Sequence, residues 1–245
     1  MFFADIHTHA LFGVDDGAKT EKDMLAMVKA EYEDGTRLMC LTPHFHPGYY
    51  GDNRAAVRSA FETLLHYAED ELPDLELCLG NELHYSQDCV SWLRNGDCKT
   101  INGTRYVLVD FSHNEEERVI VRGTEELLNA GYRPILAHVE RYNALRRRNP
   151  LLARLRDNGA LLQINTQTLV GEWGFGMRNR CMRLLEDGLV SFVASDCHDM
   201  KNRGPGLSKA YEMIVKKIDK GYANALCMNN AAEIVHADTD GKDTD

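Results

Sequence analysis

Short apolar runs alternate with amphipathic stretches along the whole chain. The first run is Phe2 to Ile6. Thr20, with Asp23 three residues later, has the spacing of a helix start. Met24, Met27, Val28 and Tyr32 then recur at helical period, and Gly35 closes the segment. Arg37 to Thr42 reads as a strand, Asn53 to Glu71 as a long helix stopped before Pro73, and Leu75 to Leu79 as a strand. A short helix follows near Gln87 to Arg94. Tyr106–Phe111, Pro134–Ala137, Leu161–Asn165 and Leu189–Ser195 are further strands. Helices are predicted between them over Glu115–Ala130, after Asn149-Pro150 with Asn as cap, and across Met177, Cys181, Leu184 and Leu185. Leu207, Tyr211, Ile214 and Ile218 stripe another helix, and a last one falls at Asn230–Val235.

This alternation, with no Pro/Gly/Ser-rich linker, predicts an α/β fold with a parallel sheet. The expected architecture is a single-domain distorted (β/α)7 barrel, TIM-like, over residues 1–237. A polar tail, disordered by composition, is expected over 238–245. A dinucleotide fingerprint after the first strand is lacking, so an open doubly wound sheet is less favoured. In a parallel barrel the active site lies at the C-terminal ends of the strands.

Those ends carry the chemistry. The first strand runs into Asp5-Ile6-His7-Thr8-His9, and the second into Thr42-Pro43-His44-Phe45-His46. The third leads to Gly80-Asn81-Glu82-Leu83-His84, the fourth to Asp110-Phe111-Ser112-His113, and the fifth to His138-Val139-Glu140-Arg141-Tyr142. The seventh ends in Ser195-Asp196-Cys197-His198. So many polar groups converging on one rim would be costly without a compensating partner, and a metal cluster is the simplest one. Alternation along a strand puts both imidazoles of His-x-His on one side. Mixed imidazole and carboxylate donors suit manganese, iron or zinc. Asp15-Asp16-Gly17 reads equally well as a turn or as the source of another ligand, Asp16. His66 and His236 read as surface or packing residues, and Cys197 as a packing residue.

Composition narrows the class. The 245 residues are 44% hydrophobic and 27% charged, and the net charge is −10. These values exclude intrinsic disorder and collagen-like structure and argue against a nucleic-acid surface. No apolar run reaches a membrane span, and the first residues do not read as a secretory signal. The seven scattered cysteines predict no disulfide framework and a cytoplasmic setting. The basic run Arg146-Arg147-Arg148 reads as a solvated face, or as a dock for an acidic, multiply phosphorylated tail.

Together, Asp5–His9, Asp15–Gly17, Gly80–Glu82, Ala137–Tyr142, Gln163–Asn165 and Ala194–His198 resemble the polymerase-and-histidinol-phosphatase (PHP) superfamily of metal-dependent phosphoesterases. More closely, they look like its bacterial protein-tyrosine phosphatases of capsule and exopolysaccharide assembly. The resemblance runs from Asp5 to about Val235. It implies three divalent ions, manganese first, with iron or zinc as alternatives. His7, His9, Glu82 and Asp196 would hold one ion, and Glu82, His138 and Asp110 a second. Asp16, His44 and His198 would hold the third. Arg141 and Arg203 would contact phosphate, and a metal-activated water would attack it. The implied partner is a phosphotyrosine protein, a tyrosine kinase of polysaccharide assembly; a dimer or trimer is compatible with it. The chain departs from the family pattern in two places. Asp110 stands where glutamate is usual, and Phe45-His46-Pro47-Gly48-Tyr49-Tyr50 replaces a typically basic segment. His46, His84 and His113 match no ligand position.

Rival readings keep the scaffold and change the task. One is a small-metabolite phosphatase of the histidinol phosphate type, or a phosphodiesterase. Another is a non-catalytic docking regulator of a kinase or polymerase. A third is a deaminase or amidohydrolase barrel, for which Asp16 and His198 fit less well.

Overall fold

The computed structural model describes residues 2–238; from residue 239 on, the expected tail lies outside the described residues. Among the described residues there are nine strand segments: β1 (Phe3–Thr8), β2 (Thr36–Leu41), β3 (His44–Phe45), β4 (Glu76–Leu79), β5 (Glu82–His84), β6 (Tyr106–Asp110), β7 (Arg133–Leu136), β8 (Leu161–Asn165) and β9 (Phe192–Ala194). Every pairing between them is parallel. The ladder runs β1-β2-β4 and then β3-β5-β6-β7-β8-β9.

Only Thr42-Pro43 separates β2 from β3, and only Gly80-Asn81 separates β4 from β5. The nine segments therefore trace seven barrel strands, two of them interrupted. Pro43 has no N–H to give to a ladder, and its carbonyl accepts instead from Asn81 Nδ2 at 3.0 Å. Closure between β9 and β1 is a single bridge, Thr8 to Cys197. Asp196 N to His7 O at 2.7 Å and His9 N to Cys197 O at 2.8 Å reinforce it. The barrel is closed, and distorted at that seam.

The helices are α1 (Glu21–Glu33), α2 (Pro47–Tyr50), α3 (Arg54–Glu71), α4 (Cys89–Arg94), α5 (Glu117–Asn129), α6 (Asn149–Asp157), α7 (Thr166–Val170), α8 (Phe175–Glu186), α9 (Leu207–Lys217), α10 (Lys220–Asn224) and α11 (Asn230–Val235). Thr20 caps α1 through a reciprocal box with Asp23, an arrangement worth about 1 kcal/mol. Asn149 does not cap α6. It lies inside the first turn, and its amide donates to Asp187 at 2.6 Å. The strand expected over Leu189–Ser195 shortens to β9, because Leu189 N still bonds Leu184 O at the end of α8. On α1 Met24, Met27, Val28 and Glu31 are buried, and Tyr32 is only half-buried.

Alternation sorts the core into layers. Ala4, Ile6, Leu38, Cys40, Leu108, Ile135, Phe192 and Ala194 fill the barrel interior. Ile101 and the Ala231, Ile234 and Val235 side chains close its base. Neighbouring positions face the helices: Met39 and Leu41 pack under α1 and α3, and Val107, Val109, Leu136, Leu162 and Ile164 lie in the larger outer cluster. On β1 the register shifts between Asp5 and Thr8. Such a shift re-aims side chains. Ile6 packs in the interior, while the next residue, His7, already reaches the mouth.

Candidate metal centre

The expected ligands all come from the C-terminal rim. His7 is the last residue but one of β1 and Asp110 ends β6, His44 and Glu82 open β3 and β5, and His138, Asp196 and His198 follow β7 and β9. His9 and Asp16 lie on the loop after β1. Their donor atoms fall into four overlapping groups, each within 4.8 Å: His9, Asp16, His44 and His198; His7, His9 and Glu82; His7, His138 and Asp196; Glu82, Asp110 and His138. His7, His9, Glu82 and His138 each belong to two groups. The geometry brings the nine residues together but does not divide them as the resemblance does.

Glu82 sits at the centre. Its Oε1 is 2.9 Å from His138 Nε2 and 3.4 Å from His7 Nε2. Its Oε2 is 2.9 Å from His44 Nδ1 and 3.2 Å from His9 Nε2. Asp16 Oδ1 lies 3.3 Å from His44 Nε2 and 3.4 Å from His198 Nε2. Burial is the strongest influence on Glu82 and on Asp196 and favours their neutral forms. The surrounding histidines, and for Asp196 the two arginines, outweigh it and hold both carboxyls well below the usual range. Burial also opposes charge on His9, but Asp15 overcomes it and lifts the imidazole to about 9. His198 is pulled down to about 4 by burial and by His9.

Two backbones are forced into the left-handed region here, His138 at φ 31° and Asp196 at φ 51°. For residues with a β-carbon this costs about 1–3 kcal/mol each. It turns both side chains inward immediately after a strand.

A divalent cation fits this donor set. Glu82 Oε2, Asp110 Oδ1, Asp196 Oδ1 and His198 Nε2 are buried without a hydrogen-bond partner, and imidazole with carboxylate is the chemistry of such sites. Surrounding residues fix the donors in the way outer partners of metal ligands do. Asp15 Oδ2 takes His9 Nδ1 at 2.7 Å and the His44 amide at 3.0 Å. Gln163 Oε1 takes the His138 amide at 2.7 Å and faces His7 Nδ1 at 3.2 Å. Asn165 Nδ2 donates to Asp196 Oδ2 at 2.6 Å. The sequence reading gave Asp15, Gln163 and Asn165 no role; the alternation of 163 and 165 on one strand was the available signal. His84 bonds Asp110 at 2.9 Å and stacks on His46 at 4.3 Å. His113 meets the His138 ring edge-on at 6.0 Å.

Arg141 and Arg203 also meet at this mouth, both on Asp196 Oδ2, at 3.1 and 2.7 Å. Arg141 Nε and Nη2 and Arg203 Nε keep no partner, and the Arg141 guanidinium lies 4.7 Å over the Trp173 ring. Cys197 and Arg203 have the Cys-x5-Arg spacing of thiol phosphatases, although the sequence reading expects none of the seven cysteines to sit in such a motif. The fold breaks that motif. Cys197 is fully buried in the cluster under α1 and α3, and burial with Glu31 pushes its thiol well above the usual range.

A closed parallel barrel with a buried imidazole–carboxylate cluster at its mouth, flanked by two arginines, defines a metal-dependent hydrolase of the PHP kind. The chain belongs to the capsular polysaccharide synthesis CpsB/CapC family, which it matches over residues 3–236. It is 32% identical over 236 residues to the tyrosine-protein phosphatase CpsB of Streptococcus agalactiae serotype V, covering 94% of this chain and 97% of that one. A solved structure described with YwqE from Bacillus subtilis and CpsB from Streptococcus pneumoniae, as unique metal-dependent tyrosine phosphatases, superposes with a TM-score of 0.88. Identity there is 31%, over 95% of this chain and 94% of the other. The phosphotriesterase homology protein of Escherichia coli shares the fold alone, at 11% identity, TM-score 0.55, and coverage of 95% and 98%.

Proposed function

We propose that this chain is a metal-dependent protein-tyrosine phosphatase. It hydrolyses phosphotyrosine on a protein of capsular or exopolysaccharide assembly, a tyrosine kinase being the preferred partner. The observation that carries this reading is the donor cluster itself, with guanidinium donors left free beside it. The barrel, taken as residues 1–237, holds the whole site. His7, His9, Asp16, His44, Glu82, Asp110, His138, Asp196 and His198 hold the ions, three in number, with manganese as the first choice. When bound, the ions supply charge neutralisation and an acidified water.

The chain's own residues do the rest. Asp196 Oδ2 holds both guanidiniums, so their unpartnered N–H groups are already oriented. Arg141 Nε and Nη2 and Arg203 Nε bind the phosphate oxygens in the forked geometry that guanidinium suits. That contact strengthens as charge builds on those oxygens. Trp173, exposed beside Arg141, takes the face of the substrate's phenyl ring. The departing phenolate has an ordinary pKa of about 10, so it demands little proton transfer.

The test is hydrolysis of a tyrosine-phosphorylated peptide beside histidinol phosphate, in metal-stripped buffer and after Mn²⁺ is restored. Peptide turnover that requires metal and survives thiol alkylation is the expected result. Activity confined to histidinol phosphate would overturn the substrate assignment.

A further inference from the structure

Arg146 and Arg147 follow the short turn Asn143–Leu145, and Arg180 and Arg183 lie on α8. They meet in a basin. Two adjoining cavities, of about 330 and 270 Å³, share Arg146, Arg147 and Arg183 in their walls. Arg180 lines the second. Among the described residues, no acidic side chain lines either one.

Arg180 is the informative member. It is 4% exposed. Its Nη2 donates to Val139 O at 3.2 Å, while Nε and Nη1 have no partner. Among the described residues, none of the four arginines has a carboxylate within ion-pair distance. Arg148 behaves differently and pairs with Glu117 at 2.7 Å. Asp187 is engaged by Asn149, which lines the first cavity. Burial, together with Arg146 and Arg183 and against Glu140, pulls the Arg180 guanidinium down to about 10. A buried cation with unmet donors and like-charged neighbours is the complement of a multivalent oxyanion.

Position says which anion. Val139, which Arg180 holds, opens the turn that ends in Arg141. Five peptide steps separate Arg141 from Arg146, so their Cα atoms are at most about 18 Å apart. An extended peptide covers that in about five residues. Trp173, against the Arg141 guanidinium, and Phe175 are exposed aromatic side chains, and Phe175 begins α8, whose Gly176 and Met177 line the second cavity.

We propose that this arginine basin binds a second phosphate group of the same phosphoprotein, within about five residues of the tyrosine being hydrolysed. The inference rests on the phosphotyrosine reading above and deepens it: the preferred substrate is a segment phosphorylated more than once.

The test uses the Mn²⁺-loaded enzyme with peptides carrying one phosphotyrosine or two, spaced two to five residues apart. It also uses the matching non-hydrolysable phosphonate peptides for binding by fluorescence anisotropy. The doubly modified peptides should show about tenfold lower KM and Kd, as one added guanidinium–phosphate contact of about 1.4 kcal/mol provides, with kcat little changed. Arg147→Ala with Arg183→Ala, both at exposed positions, should erase that advantage and leave turnover of the singly phosphorylated peptide as it was. Arg180→Lys should reduce it. Equal Kd for the two phosphonate peptides, or an advantage that survives in the double variant, would overturn the proposal. So would an equal gain from glutamate at the second position. Failure to hydrolyse the singly phosphorylated peptide would count against the activity instead, since the binding comparison is read without turnover.

Discussion

Arg203 Nη2 donates to Asp196 Oδ2 at 2.7 Å, on the same oxygen that Asn165 and Arg141 approach. The other oxygen, Oδ1, faces His7, His9 and His198 at 3.3–3.6 Å. One carboxylate thus orders the two guanidiniums with one atom and faces the imidazole cluster with the other. Asp196→Asn should therefore damage both. A fall of at least about 100-fold in kcat/KM is expected, with bound metal reduced when measured by elemental analysis. Arg203→Lys should keep metal content and lose rate, because an ammonium lacks the planar fork that holds Asp196 on one edge and presents N–H groups to phosphate on the other.

Gly17 is needed for closeness, not for an unusual φ. A β-carbon there would stand 2.0 Å from His9 O and 2.7 Å from His9 Cβ. Backbone cannot swing aside as a side-chain tip can. Gly17→Ala should cost about 1–3 kcal/mol of stability, read by urea denaturation, and should also weaken metal binding through His9, Asp15 and Asp16. Unchanged stability and metal affinity would show that the loop yields freely.

Removing the metal should lower the melting temperature. The buried donors stay crowded without it, and a ligand that binds only the native state stabilises by about 2.7 kcal/mol at one hundred times its Kd. Titrating Mn²⁺ into chelated protein should raise Tm steadily with concentration. Glu82→Gln, which weakens two of the overlapping donor groups, should flatten that response.

Alkylation should leave activity intact. All seven cysteines are buried, and burial lifts the Cys89 thiol to about 11 and that of Cys197 well above its usual value. Thiols raised in this way are protonated at neutral pH and react slowly. Iodoacetamide inactivation of the native enzyme at pH 7 that is abolished by Cys197→Ser would point to a role for the Cys197 thiol after all.

Trp173→Ala should raise KM for phosphotyrosine peptides by about 2- to 13-fold, the range that an aromatic contact of about 0.5–1.5 kcal/mol spans. The same change should matter little for a phosphate ester without a ring. A uniform effect on both would place Trp173 in support of Arg141 rather than in contact with substrate.

Much was decided by the sequence. Period-2 apolar runs ending in His, Asp or Glu specify parallel strands whose polar ends share one rim, because side-chain alternation and crossover geometry leave few other solutions. The Thr20–Asp23 box and the Arg54–Glu71 helix are local, and local spacing was enough to read them. What depended on neighbours distant in sequence was hidden. The register shift on β1 arises from pairing with β2, and it, not strict alternation, brings His7 to the mouth. The breaks at Pro43 and Asn81, the shared use of His9, and the left-handed turns at His138 and Asp196 are likewise products of barrel closure. The same closure buries Cys197 and so defeats a Cys-x5-Arg spacing that is plain in the chain. Arg146 and Arg147 gave a basic run; only α8, packed beside them, made it a basin with a buried, unpaired Arg180 in its wall.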